Sequence, residues 1–114
     1  MHLTDYISGT FNVIDCEHES EYLTLSCPSS LTLTIAQAFW GTRSREDLCD
    51  NDVSTCVGTD AFRVETLDIV REECDGEVWC DIETDTDVLG EPCQGVRKYL
   101  EVDYDCGMFV PCER

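Results

Sequence analysis

Two groups of side chains in this chain could do chemistry. One is a set of nine cysteines; the other is the run GEPCQGVRKYLEVDYDC (Gly90 to Cys106), where the adjacent bases Arg97 and Lys98 sit among acids. Cysteine thiolates bind zinc, but a zinc site wants close pairs such as C-x2-C, completed by histidine. The nearest neighbours here are Cys74/Cys80, Cys106/Cys112 and Cys49/Cys56, and the histidines are His2 and His18. A nucleophilic thiol would need a base beside it, and two histidines near the N-terminal end offer few candidates. Nine cysteines in 114 residues instead mark a disulfide scaffold and an oxidising, extracellular compartment.

The acids raise two further chemistries. Asp81, Glu83, Asp85 and Asp87 stand at alternate positions, but calcium takes about six to eight oxygens, and Pro92 occupies the place where an EF-hand loop would carry its closing acid. Glu17 and Glu91 could imitate the carboxylate pair of a glycosidase, which depends on a separation that sequence does not give. The expectation is a protein that is not an enzyme, with no metal site and no cofactor.

Twenty-five acids against seven bases give a net charge of −18, which repels nucleic-acid phosphates and anionic lipid surfaces. Neither partner is expected. Residues 1–57 hold nine of the acids and residues 58–114 hold sixteen; the plain reading is a solvated surface that keeps a secreted protein soluble. No apolar run approaches the ~20 residues that span a bilayer, so no membrane insertion is expected. Residues 1–15 lack the charged-then-apolar order of a signal peptide, so the chain reads as already processed or cut from a longer precursor. No N-x-S/T sequon occurs, since Asn12 and Asn51 are followed two places on by Ile14 and Val53.

These residues must be positioned by a small set of elements. Residues 1–14 read as an N-terminal extension able to pair as an edge strand. Tyr22, Leu23, Leu25 and Cys27, then the turn Pro28-Ser29-Ser30, then Leu31, Leu33 and Ile35 alternating with Thr32 and Thr34, predict two antiparallel strands. Gly41 to Asp52 predicts a long surface loop anchored by Cys49 and Cys56. Between Asp60 and Cys74, Ala61, Val64, Leu67, Val70 and Cys74 recur at helical spacing, with Thr59 or Asp60 as the cap. Asp75-Gly76 turns the chain into a strand at Val78–Ile82, and one helical turn follows from Thr84, capped by Thr84 or Asp85 and stopped by Gly90 and Pro92. Lys98 to Cys106 predicts a last strand with Leu100, Val102, Tyr104 and Cys106 on one face. The order predicts a small disulfide-rich α+β domain, with a mostly antiparallel sheet, one main helix and one or two short ones.

Six motifs in order resemble the rhamnose-binding lectin, or sea-urchin-egg-lectin-like (SUEL), galactose-binding domain. They are Cys16-Glu17, Leu25 to Cys27, Trp40-Gly41, C-x-G-x-x-x-C from Cys74 to Cys80, DVxGxPC from Asp87 to Cys93, and KYLEVxYxC from Lys98 to Cys106. The resemblance covers about residues 15–106. It divides the chain into an extension (1–14), the lectin domain (15–107) and a C-terminal tail with an extra cysteine (108–114). Eight cysteines allow about a hundred pairings; the resemblance implies Cys16–Cys49, Cys27–Cys106, Cys56–Cys93 and Cys74–Cys80. Cys112 is left over, either to link two copies in a disulfide-bonded oligomer or to pair with a cysteine elsewhere.

The resemblance also implies a metal-independent site for a terminal rhamnose or galactose, contacted by Glu17, Trp40, Glu91, Gly95 and Lys98. A carboxylate accepts hydrogen bonds from adjacent hydroxyls while an ammonium donates to the same oxygens, so an acid facing a base makes a sugar clamp. On this reading Lys98→Ala abolishes binding and leaves thermal stability nearly unchanged. The chain departs from the family pattern in three places. It has Trp40-Gly41-Thr42 for Tyr-Gly-Arg, Glu91 for the aspartate before Pro-Cys, and Val96-Arg97 for Thr-Tyr before the lysine. The alternative is a protein-recognition or adhesion module of an extracellular or matrix assembly, with sugar binding lost or altered. Similar domains also accompany some plant beta-galactosidases as carbohydrate-binding accessories.

Overall fold

The computed structural model describes residues 10–17, 19, 21–42, 49, 60–92 and 97–107. The strand with the cleanest alternation lies at the centre. In β5 (Tyr99–Gly107), Leu100, Val102, Tyr104 and Cys106 are buried, while Glu101, Asp103 and Asp105 on the other face keep partial contact with water. β5 is flanked antiparallel by β1 (Phe11–Cys16) and by β3 (Thr32–Gly41), in the order β1-β5-β3.

β2 (Tyr22–Ser26) does not pair with β3, although the chain between them is short. It pairs antiparallel with β4 (Trp79–Glu83) in a second, two-stranded sheet. The predicted strands are both present, but they do not form a hairpin. Ser29 and Ser30 take left-handed φ values of 55° and 66°, and the Cys27 amide donates to the Val78 carbonyl at 2.9 Å. The turn thus carries the chain from one sheet into the other. The Cys27–Cys106 disulfide then ties the end of β2 to β5 across 79 positions of sequence.

The main helix α1 (Asp60–Cys74) occupies its predicted span, and Val70 and Cys74 are fully buried. Its last turn covers the free edge of β3. Between Ile35 and Gln37 the β3–β5 register slips by one residue, and there the Ile35 amide donates to Asp75 Oδ1 at 2.8 Å while Arg71 Nε donates to the Ile35 carbonyl at 3.3 Å. The backbone groups around the bulge are therefore satisfied by the helix end. Val64, predicted on the core face, is exposed instead; α1 at that point lines an open groove with Phe39 and Glu101. Helical periodicity identifies a face but not how closely the partner sheet packs against each of its turns.

α2 (Thr86–Leu89) is the single predicted turn. Asp85 caps it by accepting from the Asp87 amide, and Gly90 ends it at φ 91°, a conformation that costs glycine little. One apolar core joins the two sheets, α1 and α2 through Leu25, Leu33, Ile35, Val70, Ile82, Leu89, Leu100 and Val102. Each such large aliphatic side chain contributes about 1.5–3 kcal/mol by leaving water. Cys16–Cys49, Cys27–Cys106 and Cys74–Cys80 are disulfide-bonded, as the resemblance implied. Cys56–Cys93, Gly95, Cys112 and most of the predicted loop lie outside the described residues.

Candidate functional site

The β1–β5 ladder continues one step beyond the strands, and this step creates the site. Cys16 is paired with Tyr99, so the next residues outward are Glu17 and Lys98. The Glu17 amide donates to the Lys98 carbonyl at 2.7 Å, and the Lys98 amide donates to Glu17 Oε1 at 2.9 Å. Backbone pairing thus delivers an acid and a base from 81 positions apart to one place.

The Lys98 ammonium lies 3.3 Å from Glu17 Oε1 and 3.0 Å from Glu91 Oε2. Its side chain is only 2% exposed and Glu17 is buried beside it, whereas Glu91 is 39% exposed. A buried ammonium is tolerated because it is paired; unpaired, its desolvation would cost several kcal/mol or more. The Trp40 ring, near the end of β3, has its centroid 5.9 Å from Lys98 Nζ, within the range of a cation–π attraction. Trp40 Nε1 donates to the Gly90 carbonyl at 2.9 Å. The structure therefore brings together Glu17, Trp40, Glu91 and Lys98, four of the five residues predicted for the site.

Arg97, read from sequence only as an added cation, braces the backbone. Its Nε donates to the Glu17 carbonyl at 2.8 Å and its Nη1 to the Cys49 carbonyl at 2.9 Å. Cys49 is held at a left-handed φ of 62°, an unfavourable conformation for a residue with a side chain, and two tethers fix it there: the bond to Cys16 and the guanidinium of Arg97. The acceptors of Arg97 and Trp40 are main-chain carbonyls, which every residue type carries, so no residue type in the sequence marks them.

The other chemistries find less support. Among the described residues, no group of three or more His, Cys, Asp or Glu side chains converges as a metal site would require. Asp81 accepts from Thr24 Oγ1 at 2.6 Å on the outer face of β2–β4, and Asp85 caps α2. Glu17 and Glu91 do lie near each other, but the Lys98 ammonium sits between them, where a glycosidase leaves room for the scissile bond. No helix of the described residues is long and apolar enough to cross a membrane.

What the arrangement can do is bind a polyhydroxylated ligand: an exposed carboxylate to accept, an ammonium to donate, and an indole beside them. The comparisons agree with this chemistry. Residues 25–106 match the model of the D-galactoside/L-rhamnose binding SUEL lectin domain. The L-rhamnose-binding lectin ELEL-1 of Echinometra lucunter is 38% identical over 96 residues, covering 80% of this chain and 85% of that protein. The rhamnose-binding lectin of Silurus asotus is 35% identical over 112 residues, 96% of this chain and 35% of that protein. The adhesion G protein-coupled receptor L1 of Mus musculus is 29% identical over 86 residues, which are 75% of this chain but 6% of the receptor. By the family model over residues 25–106 and by its identity to these lectins, the chain belongs to the D-galactoside/L-rhamnose binding SUEL lectin domain family.

Proposed function

We propose that this chain is a secreted carbohydrate-binding domain that recognises a terminal rhamnose- or galactose-like unit without a metal ion. The observation that carries the reading is the Lys98 ammonium, buried between the carboxylates of Glu17 and Glu91 at 3.3 and 3.0 Å. A neutral sugar gives up hydrogen bonds to water and must recover them; charged donors and acceptors are the groups that return most. In this reading Glu91 accepts from ring hydroxyls, Lys98 donates to the same oxygens, and Glu17 holds Lys98 in place. Trp40 backs the ammonium, and Gly95 lets the main chain approach the ligand.

Calorimetric titration with L-rhamnose, D-galactose and D-glucose tests the proposal. Saturable binding of rhamnose or galactose, unchanged by a chelator and weaker for glucose, is the expected result. Absence of binding to all three, or binding abolished by the chelator, overturns it.

A second reading, an adhesion module that docks a basic protein segment, is favoured by the exposed side of β2–β4. There Tyr22 and Trp79 stand in water beside Asp81 and Glu83. Docking of this kind would weaken as salt rises, because exposed charges are screened beyond about 8–10 Å at physiological ionic strength. The spare Cys112 fits this second reading as a link between two copies, and electrophoresis with and without reductant decides whether that bond forms.

A further inference from the structure

Trp40 is enclosed, and its one polar atom is engaged by the protein itself. Indole offers a single N–H donor and no acceptor. That donor is directed at the Gly90 carbonyl, 2.9 Å away and 50 positions on in sequence. Gly90 ends α2, with its own amide donating to the Thr86 carbonyl at 2.8 Å, and the next residue is Glu91. Glu91 is the exposed member of the charged cluster and the one reached from a turn rather than from the β1–β5 ladder. The Trp40–Gly90 bond is thus the tether that joins β3 to the turn carrying the outer carboxylate.

We propose that Trp40 is a positioning residue. Its N–H fixes the Gly90 carbonyl, this holds the Glu91 carboxylate against Lys98, and a bound sugar hydrogen-bonds to Glu91 rather than to Trp40. The proposal rests on the carbohydrate reading above for its ligand but not for its tether. Because Lys98 and Glu17 are buried, the placement of Glu91 sets which hydroxyls the site can accept from, so Trp40 acts on selectivity through a main-chain atom.

The test uses the full chain with Trp40→Phe and with Trp40→benzothienylalanine, which replaces the N–H by sulfur and keeps the ring shape should the smaller ring not fold. Without sugar, exchange of the Gly90 amide should be about 5-fold faster in both variants, while the Val102 amide of β5 is unchanged. With L-rhamnose, Trp40→Phe should weaken binding about 5-fold in the native background and have no further effect beside Glu91→Gln, because both changes act on one contact. Unaltered Gly90 exchange overturns the tether. An equal loss in the Glu91→Gln background overturns the action through Glu91 and makes Trp40 a direct contact. If the native chain binds no sugar, the carbohydrate reading fails by that result, and Gly90 exchange alone decides the positioning role.

Discussion

The two sheets of this protein treat polar residues in opposite ways. At the Cys16–Tyr99 end of β1-β5-β3, Glu17 and Lys98 are buried and bonded through both main chain and side chains. On β2–β4 the outward side chains are Tyr22, Thr24 and Ser26 facing Glu83, Asp81 and Trp79, and Trp79 is 59% exposed. The same alternation of apolar and polar residues generates both. The first sheet has a third strand, a disulfide and α2 packed around its end, so charges there leave water and must be paired; the second has an outer face open to solvent. Buried, paired charge is costly to build and contributes little to stability in itself, so its presence at the end of the β1–β5 ladder fits a binding role better than a structural one.

The sharpest way to break this contrast is Lys98→Ala. It leaves the buried Glu17 carboxylate without the ammonium and should cost about 3–5 kcal/mol in urea unfolding, together with sugar binding. The burial of Lys98 therefore revises the expectation that this change would spare stability. The Glu91 half of the bridge is more exposed, so Glu91→Gln should cost at most about 1 kcal/mol while still weakening sugar affinity. Arg97→Ala removes two charge-assisted bonds to the Glu17 and Cys49 carbonyls and should cost about 1.5–3 kcal/mol. Its distinguishing readout is faster hydrogen exchange at Glu17, with Trp79 unaffected. The smallest effect belongs to the open sheet: Trp79→Ser should change stability by no more than about 0.5 kcal/mol and leave rhamnose affinity alone. A loss of affinity there would shift the ligand to the second sheet.

Much of this was legible in the residues. The alternation from Leu100 to Cys106 located the central strand and its inner face, and the Asp60–Cys74 periodicity located the helix. The resemblance carried the disulfide order, and with it the meeting of Glu17 and Lys98. Strand partners were not legible: a period of two tells which side chains share a face and says nothing of whether β2 pairs with β3 or with β4 more than 50 positions on. The tethers were hidden for a related reason. Trp40 and Arg97 donate to main-chain carbonyls, and Val64 is exposed on an open groove that it lines with Phe39 and Glu101, facts that only the assembled fold contains.

The most direct measurement is a 1H–15N titration of the native chain with L-rhamnose, following main-chain amides and the two indole N–H signals. Saturable shifts at Glu17, Gly90, Glu91 and Lys98, with the Trp79 indole unmoved, are the predicted result. Shifts centred on Tyr22 and Trp79, or none at saturating sugar, would contradict a ligand site at Lys98.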